Sequence, residues 1–179
     1  MTPTETTLYH LHCHARTEGI RLAYARTATA APPMDERRAL ANSAEREAIV
    51  RLLLDGYTVH RMPHNARYDV LLDYRVRCEV KCSRWTPSAR RNRGRFQMCY
   101  HNAADVVLWL LANTGTWFVL PVAALGNRRN VAIFTRTPDA IRDYTGQWAQ
   151  YRGAWPVLAE LVHQARADGR AIPYQARFL

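Results

Sequence analysis

Three observations predict an α/β fold. Asn42-Ser43-Ala44-Glu45 reads as a capping box opening an apolar helix. Three strand-like segments of alternating or continuous apolar character follow between Tyr57 and Cys82. Helical signals return after Thr137-Pro138. The chain of 179 residues suits one domain with smaller decorations: a leader over 1–34, a core over 35–136 and a helical, aromatic-rich extension over 137–179.

The leader is rich in Thr, Ala and His, ends at Ala31-Pro32-Pro33, and has room for a helix over Glu18–Thr27. In the core, Ile49, Leu52 and Leu53 follow Glu45 at helical spacing, and Gly56 supplies a stop. Tyr57–Met62 alternates as a strand does, and Pro63-His64-Asn65 makes a turn. Tyr68–Leu72 and Val76–Cys82 form a hairpin about Asp73-Tyr74-Arg75. In its second strand Val76, Cys78, Val80 and Cys82 make one apolar face, and Arg77, Glu79 and Lys81 make the other. Ser83–Arg95 reads as an arginine-rich loop broken by Pro87 and Gly94. Ala104–Leu111 is a strand or a helix by its pattern, and Trp117–Val122 is a second apolar run beyond the Asn113-Thr114-Gly115 turn. Thr137 is placed to cap a helix with Pro138 at its first position, and Trp155–Ala167 is a further amphipathic helix.

The formal charge of +10 points to a polyanionic partner, nucleic acid before an acidic membrane surface. No stretch approaches the roughly 18 apolar residues of a membrane span, and the first residues lack the basic and apolar regions of a signal peptide. Cys78 and Cys82 would lie on the order of 13 Å apart on one strand, at ~3.3 Å per residue, too far to bridge. A cytoplasmic, nucleoid-associated protein fits this usage.

Of the 25 basic residues, only Lys81 is a lysine. It stands in Cys78-Glu79-Val80-Lys81-Cys82, two residues after a carboxylate, so both side chains project from the same side of a strand. Lysine is a compact point charge where arginine is a planar fork. Asp69, ten residues before Glu79, comes alongside through the hairpin. Asp69 and Glu79, with the Val80 carbonyl, supply the oxygen ligands that Mg²⁺ prefers, with Mn²⁺ as a substitute. Lys81 is then placed to orient an attacking water or to balance developing charge. Glu45, on the apolar side of the first helix, points toward the sheet as a fourth group, although a capping role alone also accounts for it. Glu47 falls off that stripe and is expected in solvent.

The run Ala44-Glu45-Arg46-Glu47, a helix ending at Asp55-Gly56-Tyr57, then Tyr68-Asp69-Val70 and Glu79-Val80-Lys81 resembles the PD-(D/E)xK nuclease superfamily. The likeness extends to archaeal Holliday-junction resolvases and intron-encoded homing endonucleases, over Asn42 to about Pro121. It implies a restriction-endonuclease-like core: a helix, a three-strand meander, further strands and a helix about a mixed sheet. It also implies catalytic use of Glu45, Asp69, Glu79 and Lys81. Tyrosine replaces the proline that often precedes the aspartate, which many members also show.

Arg84, Arg90, Arg91, Arg93 and Arg95 beside this constellation are expected to contact DNA phosphates. Gln97 and His101 are auxiliary candidates, each with a simpler structural role available. Asp105 is expected to serve local hydrogen bonding. Trp148, Tyr151 and Trp155 suit the core or a dimer surface. His10, His12, Cys13 and His14 lack a second half at zinc-like spacing. The expected function is a Mg²⁺-dependent DNA endonuclease making double-strand cuts of homing or restriction type, acting as a homodimer. A junction resolvase and a non-catalytic DNA-binding protein are the alternatives, and an RNA-directed nuclease is a third.

Overall fold

The computed structural model describes residues 34–88, 92–100, 103–126 and 128–174. The leader's expected helix and its His/Cys tract lie outside them. The first described element is helix α1, Met34–Leu54. It begins well before Asn42, correcting the expected capping box. Ala39, Leu40 and Ala41 are good helix formers, and Leu40, Ala44, Ala48 and Leu52, at intervals of four, form one buried stripe through the position read as a cap. Asp35 and Glu36 occupy the first turn, where carboxylates favour the helix dipole.

Strands β1 (Val59–Arg61), β2 (Val70–Leu72) and β3 (Val76–Ser83) follow as an antiparallel meander. The turn between β2 and β3 holds Asp73 and Tyr74 at φ of 49° and 57°. The Arg75 N–H donates to the Leu72 carbonyl at 2.9 Å. Asp73 suits this left-handed backbone, and its carboxylate also accepts from the Thr58 N–H at 2.8 Å and from Arg166 at 3.0 Å.

The expected loop 83–95 instead contains β4 (Thr86–Pro87) and the start of β5 (Gly94–Cys99). Pro87 tolerates pairing because β4 is an edge strand. Gly94 is required by close approach: a Cβ there would collide with the Trp85 ring and the Thr86 carbonyl oxygen. The ambiguous run resolves as strand β6, Val106–Leu111, which pairs parallel to β3 and antiparallel to β7, Thr116–Pro121. A short helix α2 (Val122–Leu125) and strand β8 (Asn130–Thr135) come next. After Pro138 the backbone forms 3-10 turns at Asp139–Asp143 and Ala149–Tyr151, with no side-chain cap. The expected Thr137-capped helix is therefore corrected to these turns. Helix α3, Pro156–Ala167, lies as expected within one residue.

Two sheets result, one ordered β1-β2-β3-β6-β7 and the other β4-β5-β8. Ala44, Ala48 and Leu52 of α1 join Leu158, Val162 and Ala165 of α3 in one apolar cluster on the larger sheet. The opposite face contributes Val107, Trp109, Phe118 and Leu120 to a second cluster with Phe96, Met98, Val131 and Ile133 of the smaller sheet. Covered on both faces, β6 is buried at all six positions, which is why its periodicity is silent. Trp148 belongs to this second cluster.

Candidate active site

Four elements carry the candidate side chains to one end of the meander. Glu45 projects from α1 and accepts from Arg61 Nε at 2.6 Å and Nη2 at 3.3 Å. Arg61 ends β1, paired with Val70 in β2, which directly follows Asp69. The Met62 N–H donates to the Asp69 carbonyl at 2.9 Å, and the Asp69 N–H donates to the Cys78 carbonyl at 3.0 Å. Asp69 is thus fixed by its main chain to both neighbouring strands. Its carboxylate is fixed as well, because Oδ2 accepts from the Val80 N–H at 2.6 Å.

Glu79 and Lys81 share the face of β3 whose register partners on β6 are Val107 and Trp109. That face is roofed by the smaller sheet, so Glu79 is 3% exposed rather than solvated. A carboxylate buried to this degree costs several kcal/mol unless a cation compensates it. Lys81 supplies that cation, with Nζ 2.6 Å from Glu79 Oε1. Tyr100, directly after β5, has its hydroxyl pKa raised by burial and then by the charge of Glu79.

The Asp69 carboxyl is raised above its ordinary value, first by burial. The Val80 N–H and Lys81 oppose the shift, and Glu45 and Glu79 add to it. Asp69 therefore feels all three other candidates, and the sequence-predicted quartet converges in space. Among the described residues, no three His, Cys, Asp or Glu side chains stand grouped as a finished metal site. Glu45 and Glu79 are turned toward Arg61 and Lys81 instead. The donor chemistry still fits a hard divalent cation: one or two carboxylates with several waters hold Mg²⁺, and a cation would relieve the repulsion of Asp69 by Glu45 and Glu79.

Arg61 is the site residue that sequence reasoning missed. Its signal was weak, one arginine among 24, at the end of a short strand. Glu47 corrects a second expectation. It is half-buried and accepts from Trp117 Nε1 at 2.8 Å, tying α1 to β7. Asp105 has the expected local role, with Oδ2 accepting from the Arg77 N–H at 2.8 Å and Oδ1 from Arg77 Nη2 at 3.0 Å. Of the arginines, Arg84 is largely buried and lies 3.5 Å from Glu36, while Arg93 and Arg95 are exposed. Gln97 is exposed on β5. Arg90, Arg91 and His101 lie outside the described residues.

The sequence matches no protein-family model and no curated protein. Among solved structures the chain is similar to that of a bacterial homing endonuclease, I-Ssp6803I. The TM-score is 0.58 at 18% identity, over 72% of this chain and 97% of that one. At that identity the likeness is one of architecture. No described helix is long and apolar enough to cross a membrane. With its five-stranded mixed sheet, its flanking helices and this neighbour, the chain has a restriction-endonuclease-like α/β fold.

Proposed function

We propose that the protein is a Mg²⁺-dependent DNA endonuclease of the PD-(D/E)xK type, with Asp69, Glu79 and Lys81 as its catalytic core. The observation that carries this reading is the convergence of Asp69, Glu79 and Lys81 across the β2–β3 hairpin, where Asp69 accepts from the Val80 N–H at 2.6 Å and Lys81 Nζ lies 2.6 Å from Glu79. A homing endonuclease with the same architecture and a formal charge of +10 add to it.

Asp69 and Glu79 would hold the cation, with the Val80 carbonyl as a backbone ligand and Mn²⁺ as a substitute. A bound divalent ion supplies Lewis acidity at the phosphate. Lys81 brings a compact charge to the same point, where it orients a water for attack or offsets charge on the phosphate oxygens. Glu45, released from Arg61, accepts a proton or a hydrogen bond from that water. Cutting both strands of a duplex calls for two such sites, and a two-fold homodimer provides them. Such an enzyme works where DNA is, in the cytoplasm on the nucleoid.

Incubation of the purified chain with linear, supercoiled and four-way-junction DNA, with and without Mg²⁺, tests the proposal. Mg²⁺-dependent cutting of linear and supercoiled duplex is expected. Cutting of the junction alone would identify a resolvase, and tight binding without cutting a non-catalytic DNA-binding protein.

A further inference from the structure

Strands β5 and β8 form an antiparallel ribbon whose inner face is the apolar roof over the larger sheet. Its outer face has a different chemistry. Along β5, Phe96 and Met98 point inward while Arg95, Gln97 and Cys99 are exposed. Along β8, Val131 and Ile133 point inward while Asn130 and Phe134 are exposed and Ala132 is half-buried. Register sets Gln97 against Ala132 and Arg95 against Phe134. A small residue at the centre leaves the Gln97 amide standing clear of its neighbour. Phe134 is 48% exposed, one of few large apolar side chains so placed among the described residues, and Arg93 stacks 4.9 Å above it.

The sequence around this face is strongly basic. Between Ser83 and Arg136 the sequence holds eight arginines and a single acid, Asp105, and that acid is occupied by Arg77 and Arg170. Arg128, Arg129 and Arg136 are exposed at the two ends of β8, and Arg93 and Arg95 at the start of β5. Strand β5 packs directly against β3, which carries Glu79 and Lys81, so the ribbon runs up to the candidate active site.

We propose that the outer face of the β5–β8 ribbon enters the major groove of duplex DNA and reads base edges there, resting on the nuclease reading above. The major groove admits a two-stranded ribbon. Gln97 and Asn130 carry the amides that pair with adenine, Arg95 suits guanine, and Phe134 suits the thymine methyl. The flanking arginines meet the phosphates and set the register. The two strands carry no acidic residue, so no carboxylate on them opposes the approach of a polyanion.

Cys99 gives a built-in footprint. It is exposed on this face, whereas Cys78 is buried and Cys82 half-buried. The full-length protein is alkylated with a maleimide, with and without a mixed-sequence duplex at low salt, and modification is followed at each cysteine by peptide mass. With duplex at about ten times its Kd, Cys99 should react about ten-fold more slowly. Bound duplex that leaves the Cys99 rate unchanged would overturn the ribbon while leaving the nuclease proposal standing. Failure to bind duplex at all, and to cut it, would overturn both. In a second arm, sequences are selected from a randomised duplex pool by binding. Gln97→Ala and Asn130→Ala should shift the selected sequence while keeping the salt slope of wild type. An Arg129→Ala, Arg136→Ala double variant should reduce that slope by up to roughly 1.8, about 0.9 for each phosphate no longer neutralised. An unchanged selected sequence in both amide variants would refute base reading.

Discussion

The Lys81 ammonium lies 2.6 Å from the carboxylate of Glu79, two residues back on the same strand and nearly fully buried. The pair places a cation on the face of β3 that the smaller sheet roofs, with the Lys81 side chain still 30% exposed. Lys81→Arg keeps the charge but puts a planar fork where a point charge stood. The variant should fold and bind DNA nearly as wild type does, with cleavage slower by about 100-fold or more, as for loss of an electrostatic stabiliser. Single-turnover cleavage rates check this, and a rate within a few-fold of wild type would remove Lys81 from the mechanism.

Asp69→Asn and Glu79→Gln each remove a negative charge beside a bound polyanion. Both should lose Mg²⁺-dependent cutting and bind duplex at least as tightly as wild type. Titration calorimetry decides the metal assignment, since Mg²⁺ binding retained in both variants would place the ion elsewhere.

Asp69 also makes stability depend on pH. Its carboxyl pKa is raised in the folded chain, chiefly by burial, so the native state binds this proton more tightly than the unfolded state does. The contribution is fully present below the ordinary carboxylate value and is lost as pH rises through the folded Asp69 value. In chelator at neutral pH, Asp69→Asn should therefore raise Tm by roughly 1–3 °C, the range in which small free-energy changes act on a domain of this size. The gain should vanish toward acid pH. A variant less stable than wild type at neutral pH would show that the ionised carboxylate stabilises the fold.

Arg61 competes for Glu45 with the water that a bound cation would hold. The pair is partly exposed, with 58% of the arginine side chain open to solvent, so its strength falls in the range of about 0.2–1 kcal/mol found for exposed pairs. Arg61→Ala should lower the Mg²⁺ concentration giving half-maximal cleavage by about 1.4- to five-fold, the same energy expressed as a ratio. A higher Mg²⁺ requirement would mean that Arg61 helps to build the site.

Gly94→Ala should destabilise the chain by about 1–3 kcal/mol, the usual cost of overpacking. The added methyl meets a backbone oxygen and an indole ring held by its hydrogen bond to Thr135 Oγ1. Denaturant midpoints measure the loss, and a midpoint equal to that of wild type would show that the β4–β5 turn can yield.

The meander and its chemistry were legible because they are local. Alternation fixed the two faces of β3, the short Asp73 turn fixed the hairpin, and the hairpin brought Asp69 to Val80. What the sequence hid depends on layers meeting across space. Asn42-x-x-Glu45 looks like a helix start, but the stripe continues backward to Leu40, and burial against the sheet outweighed the cap. Glu79 and Lys81 sit on a face that reads as polar; a second sheet roofs it, and the alternation of β5 does not say which surface its apolar side will meet. Glu47 was placed in solvent because nothing in its neighbourhood reveals that Trp117, seventy residues on, needs an acceptor. Arg61 was unreadable for the same reason, since its partner lies on a helix sixteen residues earlier.

The Val80 amide donates to a side chain, not to another strand's carbonyl, and that hydrogen bond spans two parts of the sheet with different staying power. On one side are β3 and β6, β6 buried along its whole length. On the other is Asp69, just before β2, with only the rim strand β1 beyond it, three residues long with none buried. Rims of this kind lift away and return while the centre stays closed. Each such excursion that carries Asp69 off β3 exposes the Val80 proton to solvent and separates the two candidate carboxylates. Deuterium uptake at this one amide, set against the protected amides of β6, therefore clocks how often the site comes apart in a chain that never unfolds.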